Sequence, residues 1–323
     1  MESNRLKPTK PTSSAATTYG GQIKARPFLK WVGGKTQLLQ TISQNLPDGL
    51  GGDDIDTYVE PFVGGGAVFF YVIQSFGLKR AIISDTNADL ILAYRTIQQS
   101  AHLLLRELRK LQNFYLKLSE AERSAFYYDT RQKFNAKQPP ASLDGTCKKS
   151  VKRAAQLIFL NKTCFNGLFR VNSSGEFNVA FGRYDQPVIC DQENIEAVAH
   201  CLKNVQILHC DFEEVLPLST ANSFVYLDPP YRPLTETANF TSYSANTFTA
   251  LDQQRLSKFC TRLTKRGAKL LMNNSDPGNV DESDSFFETL YPDFRVIRVS
   301  ANRMVNCRAD RRGKISELMF TNY

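Results

Sequence analysis

Short apolar runs alternate with stretches of helical periodicity along most of this chain. Residues 58–60, 81–84, 205–209 and 224–227 are short runs rich in Val, Ile, Leu, Tyr and Phe. Such runs predict strands of a sheet buried on both faces. Between and after them, apolar residues recur every three or four positions, which predicts helices over 67–74, 87–99, 191–202 and 251–265. Residues 268–272, 294–299 and 315–321 read as closing strands, with a helix over 281–290. Regular strand and helix alternation specifies an α/β fold, a doubly wound and mostly parallel sheet of Rossmann type.

Two stretches depart from that winding. From residue 100 to 161 the pattern is helical only, over 102–118, 120–134 and 148–161, with many Lys and Arg and a turn-rich loop at 137–146. This reads as an insertion. It leads into residues 165–184, where two β-rich halves flank Ser173-Ser174-Gly175 as in a hairpin. Arg, Asn and aromatic residues interleave along it, as in an element that reads nucleic acid, and also as in an ordinary surface hairpin. Residues 1–24 are rich in Ser, Thr, Pro and Lys and predict a disordered basic tail. The polar stretch 232–248, with Phe240 and Tyr243, reads as a flap beside a site, and 303–314 as a basic loop.

Composition narrows the partners. The formal net charge is +8 with a pI near 9.1, which favours a polyanion. The seven cysteines form no Cys-x-x-Cys pair, so reduced thiols of a cytoplasmic protein fit better than disulfides or zinc. His102, His200 and His209 lack ligand spacing, and no metal is expected. No apolar segment is long enough for a bilayer, no signal peptide is read, and no membrane partner is expected.

The candidate chemistry centres on Asp228-Pro229-Pro230-Tyr231, directly after the run 224–227. The prolines end the strand and stiffen the turn, leaving Asp228 where open α/β sheets keep their ligand crevices. A carboxylate, carbonyls without competing N–H groups, and an aromatic face suit an exocyclic amine on a flat ring. A plain strand-ending turn or a polyproline-type ligand has the same letters. Upstream, Glu60-Pro61-Phe62-Val63-Gly64-Gly65-Gly66 is a glycine turn between strand and helix, and Asp85 follows about 20 residues later, the spacing of a ribose-binding carboxylate. Asp85 also reads as a helix N-cap, a role open to Asn87 instead. Gly34-Lys35-Thr36 is not a P-loop, because Leu29 holds the position where a P-loop needs Gly. What remains is a glycine turn opening a helix over 36–44, with the chain's single Trp, Trp31, and Lys35, suited to a ligand bearing a cation and a carboxylate.

Taken together, Phe28-Leu29-Lys30-Trp31-Val32-Gly33-Gly34-Lys35, the 60–66 turn, Ser84-Asp85-Thr86-Asn87, the 165–184 hairpin, Asp228-Pro229-Pro230-Tyr231 and Thr237-Ala238-Asn239-Phe240-Thr241 resemble, in order, the Dam-type (D12 class, alpha group) DNA adenine-N6 methyltransferases that act on GATC. Some members are paired with restriction enzymes. The resemblance implies a site-specific adenine methyltransferase that uses S-adenosyl-L-methionine, needs no metal, and flips its target base from double-stranded DNA. It implies catalysis by Asp228, Pro229, Pro230 and Tyr231. Donor binding falls to Trp31, Lys35, Gly64, Gly66, Asp85, Asp211, Phe212 and Asp228. DNA contacts fall to Lys30, Phe165, Asn166, Leu168, Arg170, Ala180, Arg183 and Tyr184. Ala180 departs from the family's usual Pro, which leaves selectivity at one thymine in question. The expected organisation is a tail (1–24), a catalytic domain (25–100 with 190–323) and a target-recognition domain (101–189), monomeric on DNA, with a restriction endonuclease as a further partner. Cytosine-N4 and glutamine enzymes usually carry Ser or Asn where this chain has Asp228. Another DNA sequence, an RNA adenine, or a DNA-binding regulator stay open.

Overall fold

The computed structural model describes residues 18–19, 22–232, 248–302 and 314–323. The sheet strands are β1 (Thr57–Glu60), β2 (Arg80–Asp85), β3 (Val205–His209), β4 (Ser223–Leu227), β5 (Lys269–Ser275), β6 (Arg295–Asn302) and β7 (Lys314–Thr321). Their order is β3-β2-β1-β4-β5-β7-β6. Strands β1 to β5 pair in parallel, and β7 runs antiparallel to both β5 and β6. The chain winds outward from β1 through β2 to β3 and then returns to place β4 on the other side of β1. The loops leaving β1 and β4 therefore diverge, opening a crevice at their carboxyl ends.

The central strands are apolar on both faces because helices cover both. Side chains alternate along them. Tyr58, Phe224 and Tyr226 enter one core with the helices between residues 88 and 163, while Val59, Val225 and Leu227 enter the other. Helices α1 (Leu39–Ser43), α2 (Ala67–Ser75), α3 (Ala88–Tyr115), α4 (Glu120–Asn135), α5 (Lys148–Thr163), α6 (Gln192–Leu202), α7 (Ala250–Lys265) and α8 (Phe286–Leu290) complete the layers. Leu104, Leu108 and Tyr115 of α3, Tyr127 of α4 and Phe159 of α5 are buried in the same core as Ile83 of β2. Arg153 of α5 forks onto Asp89 at the start of α3, Nε to Oδ1 at 2.5 Å and Nη2 to Oδ2 at 2.9 Å. A charge pair this dry fixes the register between α5 and α3 through its paired geometry.

Several boundaries differ from the sequence pattern. The helices expected at 87–99 and 102–118 are one helix, α3, bent at Ser100 (φ −146°, ψ 36°). The helix expected over 36–44 is a 3-10 turn, Lys35–Gln37, followed by α1. Only the last part of 281–290 is helical. Asp281 accepts from Ser283 N at 2.9 Å and Asp284 from Phe286 N at 3.0 Å, side-chain turns that compete with helix. The 165–184 hairpin carries isolated bridges, Val171 to Phe177 and Cys164 to Phe181, with no continuous ladder. Inside the expected disordered tail, Thr18–Tyr19 pairs with Gln22–Ile23. The rest of that tail before residue 24, the flap residues 233–247 with Phe240 and Tyr243, and the basic loop 303–313 lie outside the described residues. Among the described residues no helix is long and apolar enough to cross a membrane.

Candidate active site

The carboxyl ends of the parallel strands gather the chemistry. Asp85 closes β2, Asp211 follows β3, and Asp228 follows β4. Between them the β1 turn runs through Gly64 (φ 47°) and Gly66 (φ 73°), left-handed conformations that favour glycine. A Cβ on Gly64 would lie 2.8 Å from Trp31 Cδ1, and one on Gly66 2.5 Å from Tyr94 Oη. The glycines thus let Trp31 and Tyr94 close on the turn, and Tyr94 Oη also donates to the Gly64 carbonyl at 3.1 Å.

Asp85 is tied into this turn. It accepts from Gly64 N at 3.1 Å through Oδ2 and from Asn87 N at 2.9 Å through Oδ1. The helix cap is Asn87, whose Oδ1 accepts from Leu90 N at 3.0 Å. Burial pushes the Asp85 carboxyl above its ordinary value, against the pull of the two backbone donors. Each carboxylate oxygen retains a lone pair for a ligand hydroxyl.

Asp228 is half-buried, and Lys35 sits on it. Lys35 Nζ donates to Oδ2 at 2.8 Å and lies 2.7 Å from Oδ1. It also donates to the Gly33 carbonyl at 2.8 Å and stands 4.7 Å from the centre of the Tyr231 ring. Asp228 Oδ1 is buried with no directed hydrogen bond among the described residues. Desolvation raises the Asp228 carboxyl, the Lys35 charge and hydrogen bond lower it, and Glu317 raises it again. Below, Tyr58 Oη donates to buried Glu60 at 2.6 Å, and burial holds that carboxyl well above the usual range. The turn itself is held from other elements. Gln253 of α7 donates to the Pro230 carbonyl at 3.4 Å, and Tyr231 Oη donates to Glu317 of β7 at 2.5 Å. Arg232 pairs with Asp284 at 2.8 Å and lies 4.3 Å from the centre of the Phe286 ring.

Asp211 accepts from Arg255 Nη2 at 2.8 Å and from Glu213 N at 3.1 Å, both through Oδ1. The Phe212 ring is enclosed by protein, stacked on Phe62 at 5.4 Å with the Arg255 guanidinium 5.0 Å away. It backs this corner without presenting an open face.

The hairpin residues lie on a separate, outward surface. Phe169, Phe177, Val179 and Phe181 point into the core, which leaves Arg170 and Ala180 exposed between them. Phe165 is 55% exposed, and Asn166 (φ 57°) and Arg183 (φ 52°) are left-handed turn residues. Arg183 is exposed, 3.8 Å from Glu120, and Leu168 is half-buried. Lys30 joins this surface through Asn161, which bonds the Lys30 backbone at both ends (2.9 Å each) and the Gly167 carbonyl at 3.0 Å. Lys30 Nζ lies 6.0 Å from the centre of the Tyr184 ring. Trp31 then stacks on Phe169 at 4.9 Å, so one side chain touches both the hairpin and the β1 turn. Asn161, Arg255, Gln253 and Glu317 escaped the sequence reading. Each acts through a partner far away in the chain, and no local spacing marks it.

This arrangement fits a class of enzymes that take a nucleoside-like ligand across β1 to β3 and a flat amine at the β4 turn. The chain matches the D12 class N6 adenine-specific DNA methyltransferases over residues 31–305 and belongs to that family. Among its relatives is the type II methyltransferase M.MjaIII of Methanocaldococcus jannaschii, 49% identical over 302 residues, 93% of this chain and 100% of the relative. The type II methyltransferase M1.LlaDCHI of Lactococcus lactis subsp. cremoris is 37% identical, covering 94% and 97%. The DNA adenine methylase of Salmonella typhi is 33% identical, covering 92% and 95%. The chain is an adenine-specific DNA methyltransferase, and its family implies S-adenosylmethionine as methyl donor.

Proposed function

We propose that this chain methylates adenine N6 within GATC in duplex DNA, on a base turned out of the helix, with S-adenosylmethionine as donor. The observation that carries the reading is Asp228, a carboxylate at the switch point with Lys35 Nζ 2.7 Å from Oδ1 and 2.8 Å from Oδ2, beside the Tyr231 ring that the same ammonium meets at 4.7 Å. A carboxylate next to an aromatic face at a crevice suits a flat ring bearing donor hydrogens, and an adenine amine is such a donor. Asp228 accepts one amine hydrogen, the Pro229 carbonyl accepts the other, and Tyr231 stacks on the ring. The two acceptors orient the nitrogen lone pair, so catalysis rests on alignment and electrostatics.

The donor, when bound, supplies an electrophilic methyl group on a sulfonium. The residues present fit it. Asp85 takes the ribose hydroxyls, Asp211 the adenine amine with Phe212 behind it, and Trp31 and Lys35 the methionine end, with Gly64 and Gly66 shaping the turn. Lys35, already on Asp228, links the donor's carboxylate end to the catalytic carboxylate. The raised carboxyl of Asp228 also suits it to receive the proton that N6 sheds after gaining the methyl.

Residues 25–100 with 190–323 form the proposed catalytic unit, and 101–189 the recognition unit, acting as a monomer. Lys30, Leu168, Arg170, Ala180 and Tyr184 face the bases, Phe165 with Asn166 enters the stack, and Arg183 takes a phosphate. Ala180 offers a methyl contact to thymine with less area than the usual Pro. Relatives named as type II methyltransferases support a role beside a restriction endonuclease. The test is to incubate purified protein, donor and unmethylated plasmid, then digest with two nucleases, one blocked by and one dependent on N6-methylated GATC. Protection from the first and cutting by the second are expected. Methyl incorporation without a change in either digest would place the site in another sequence.

A further inference from the structure

We propose that Glu317 is a positioning residue for methyl transfer, holding the long axis of the Tyr231 ring on which the target adenine stacks; this rests on the reading of Tyr231 given above. Glu317 lies on β7 opposite Ser275 of β5 and Val299 of β6. Its neighbours Leu318 and Phe320 enter one core and Met319 the other. Between β5 and β6, strand β7 offers the Glu317 carboxylate, whose one side-chain hydrogen bond among the described residues is the 2.5 Å bond from Tyr231 Oη.

A carboxylate is a costly choice here if its role is only to hold the sheet together. It stands near Asp228, and like charges disfavour the ionised form that Asp228 needs. An apolar side chain would pack the strand without that conflict. What the carboxylate adds is a strong, directed acceptor for a phenol. A tyrosine ring anchored only at its backbone can still tilt about its first side-chain torsion. Anchored also at Oη, it keeps its long axis in one position, and Lys35 against its face limits rotation about that axis. The other contacts of the turn leave the long axis free to swing, since Gln253 holds the Pro230 carbonyl and Lys35 meets the ring from its face. Stacking depends on the plane, because an offset parallel contact loses most of its overlap when one ring tilts.

The test uses the full chain on duplex DNA with 2-aminopurine at the target position. Glu317→Ala, Glu317→Gln, Tyr231→Phe and the Glu317→Ala/Tyr231→Phe double variant are compared by single-turnover rate, 2-aminopurine fluorescence, donor affinity by calorimetry and thermal unfolding. Losing a charge-assisted hydrogen bond predicts about a tenfold slower methyl transfer in Glu317→Ala, a changed flipped-base fluorescence and unchanged donor affinity. Tyr231→Phe removes the same bond and shows the same loss, even where Glu317→Ala fails to fold. The double variant is no slower than either single one, and Glu317→Gln, which keeps an acceptor, recovers most of the rate. Multiplying losses in the double variant, or a normal rate and fluorescence in Tyr231→Phe, overturns the proposal. Tyr231→Ala separates it from the reading beneath. A normal rate in that variant removes Tyr231 from the base platform altogether. A slow Tyr231→Ala beside multiplying losses refutes Glu317 alone.

Discussion

Replacing Arg170 with Ala should relax selectivity at one G·C pair of the target site. Arg170 is exposed on the hairpin, yet its guanidinium is already oriented. Nε donates to Asn178 Oδ1 at 2.9 Å and Nη2 to the Asn178 carbonyl at 3.3 Å, while Asn178 N donates back to the Arg170 carbonyl at 3.0 Å. One edge of the planar fork is thereby used, and Nη1 makes no hydrogen bond among the described residues. The remaining N–H groups match the O6 and N7 acceptors that guanine shows in the major groove. Immobilising such a side chain on binding costs about 0.5–1.5 kcal/mol, and Asn178 meets that cost before DNA arrives. A bidentate arginine–guanine pair discriminates by about 1–3 kcal/mol, a factor of roughly 5 to 150. Arg170→Ala should therefore lose that factor on GATC and much less on the variant lacking the guanine, with donor binding intact. The assay is single-turnover methylation of GATC and its single-base variants at one salt concentration. A phosphate-binding arginine would behave differently, since its loss weakens all sequences alike and flattens the salt dependence. A uniform drop with cognate preference preserved would refute the assignment.

Asp85→Ala should weaken donor binding about 10- to 100-fold, from the loss of charge-assisted bonds worth roughly 1.5–3 kcal/mol, while DNA affinity stays within about twofold; calorimetry with donor alone checks this, and unchanged affinity leaves Asp85 as a strut for Gly64 and Asn87. The pH dependence of transfer should follow the Asp228 carboxyl. Its ionised form is the active one, so rate falls as pH drops through a value that burial has raised and Lys35 has partly restored. Lys35→Met removes the lowering influence and should move the acid limb of the single-turnover profile to higher pH; an unmoved or lowered limb would contradict the pairing.

The sheet centre was legible because β1 and β4 are buried on both faces and so write themselves as short, largely apolar runs, while the edge strand β3 shows itself by alternation. The β3 bounds came out as read, Val205–His209, between the turn at Lys203-Asn204 and Cys210-Asp211. Helix ends were less legible. The bend at Ser100 is local, and α3 continues beyond it because Leu104, Leu108 and Tyr115 stay on the buried side. The 281–290 stretch has helical periodicity, but Asp281 and Asp284 turn their side chains onto the backbone. At the site, Asp85 and Asp228 could be found because strand ends and prolines fix them in place. Their partners could not. The Lys35–Asp228 pair spans 193 residues and the Tyr231–Glu317 bond 86, and neither leaves a periodic trace. Asn161 is read as one more polar residue on an amphipathic helix, although it joins Lys30 to the turn at Gly167.

The most direct test of the account is single-turnover methyl transfer to a GATC duplex by Asp228→Ala and Asp228→Asn, with donor saturating. In the proposed mechanism the Asp228 carboxylate faces the target amine, and Asn keeps an oxygen acceptor while losing the charge. Transfer should vanish in Asp228→Ala and persist at a small residual rate in Asp228→Asn, with the duplex still bound. A near-normal rate in Asp228→Ala would show that the target amine is held elsewhere.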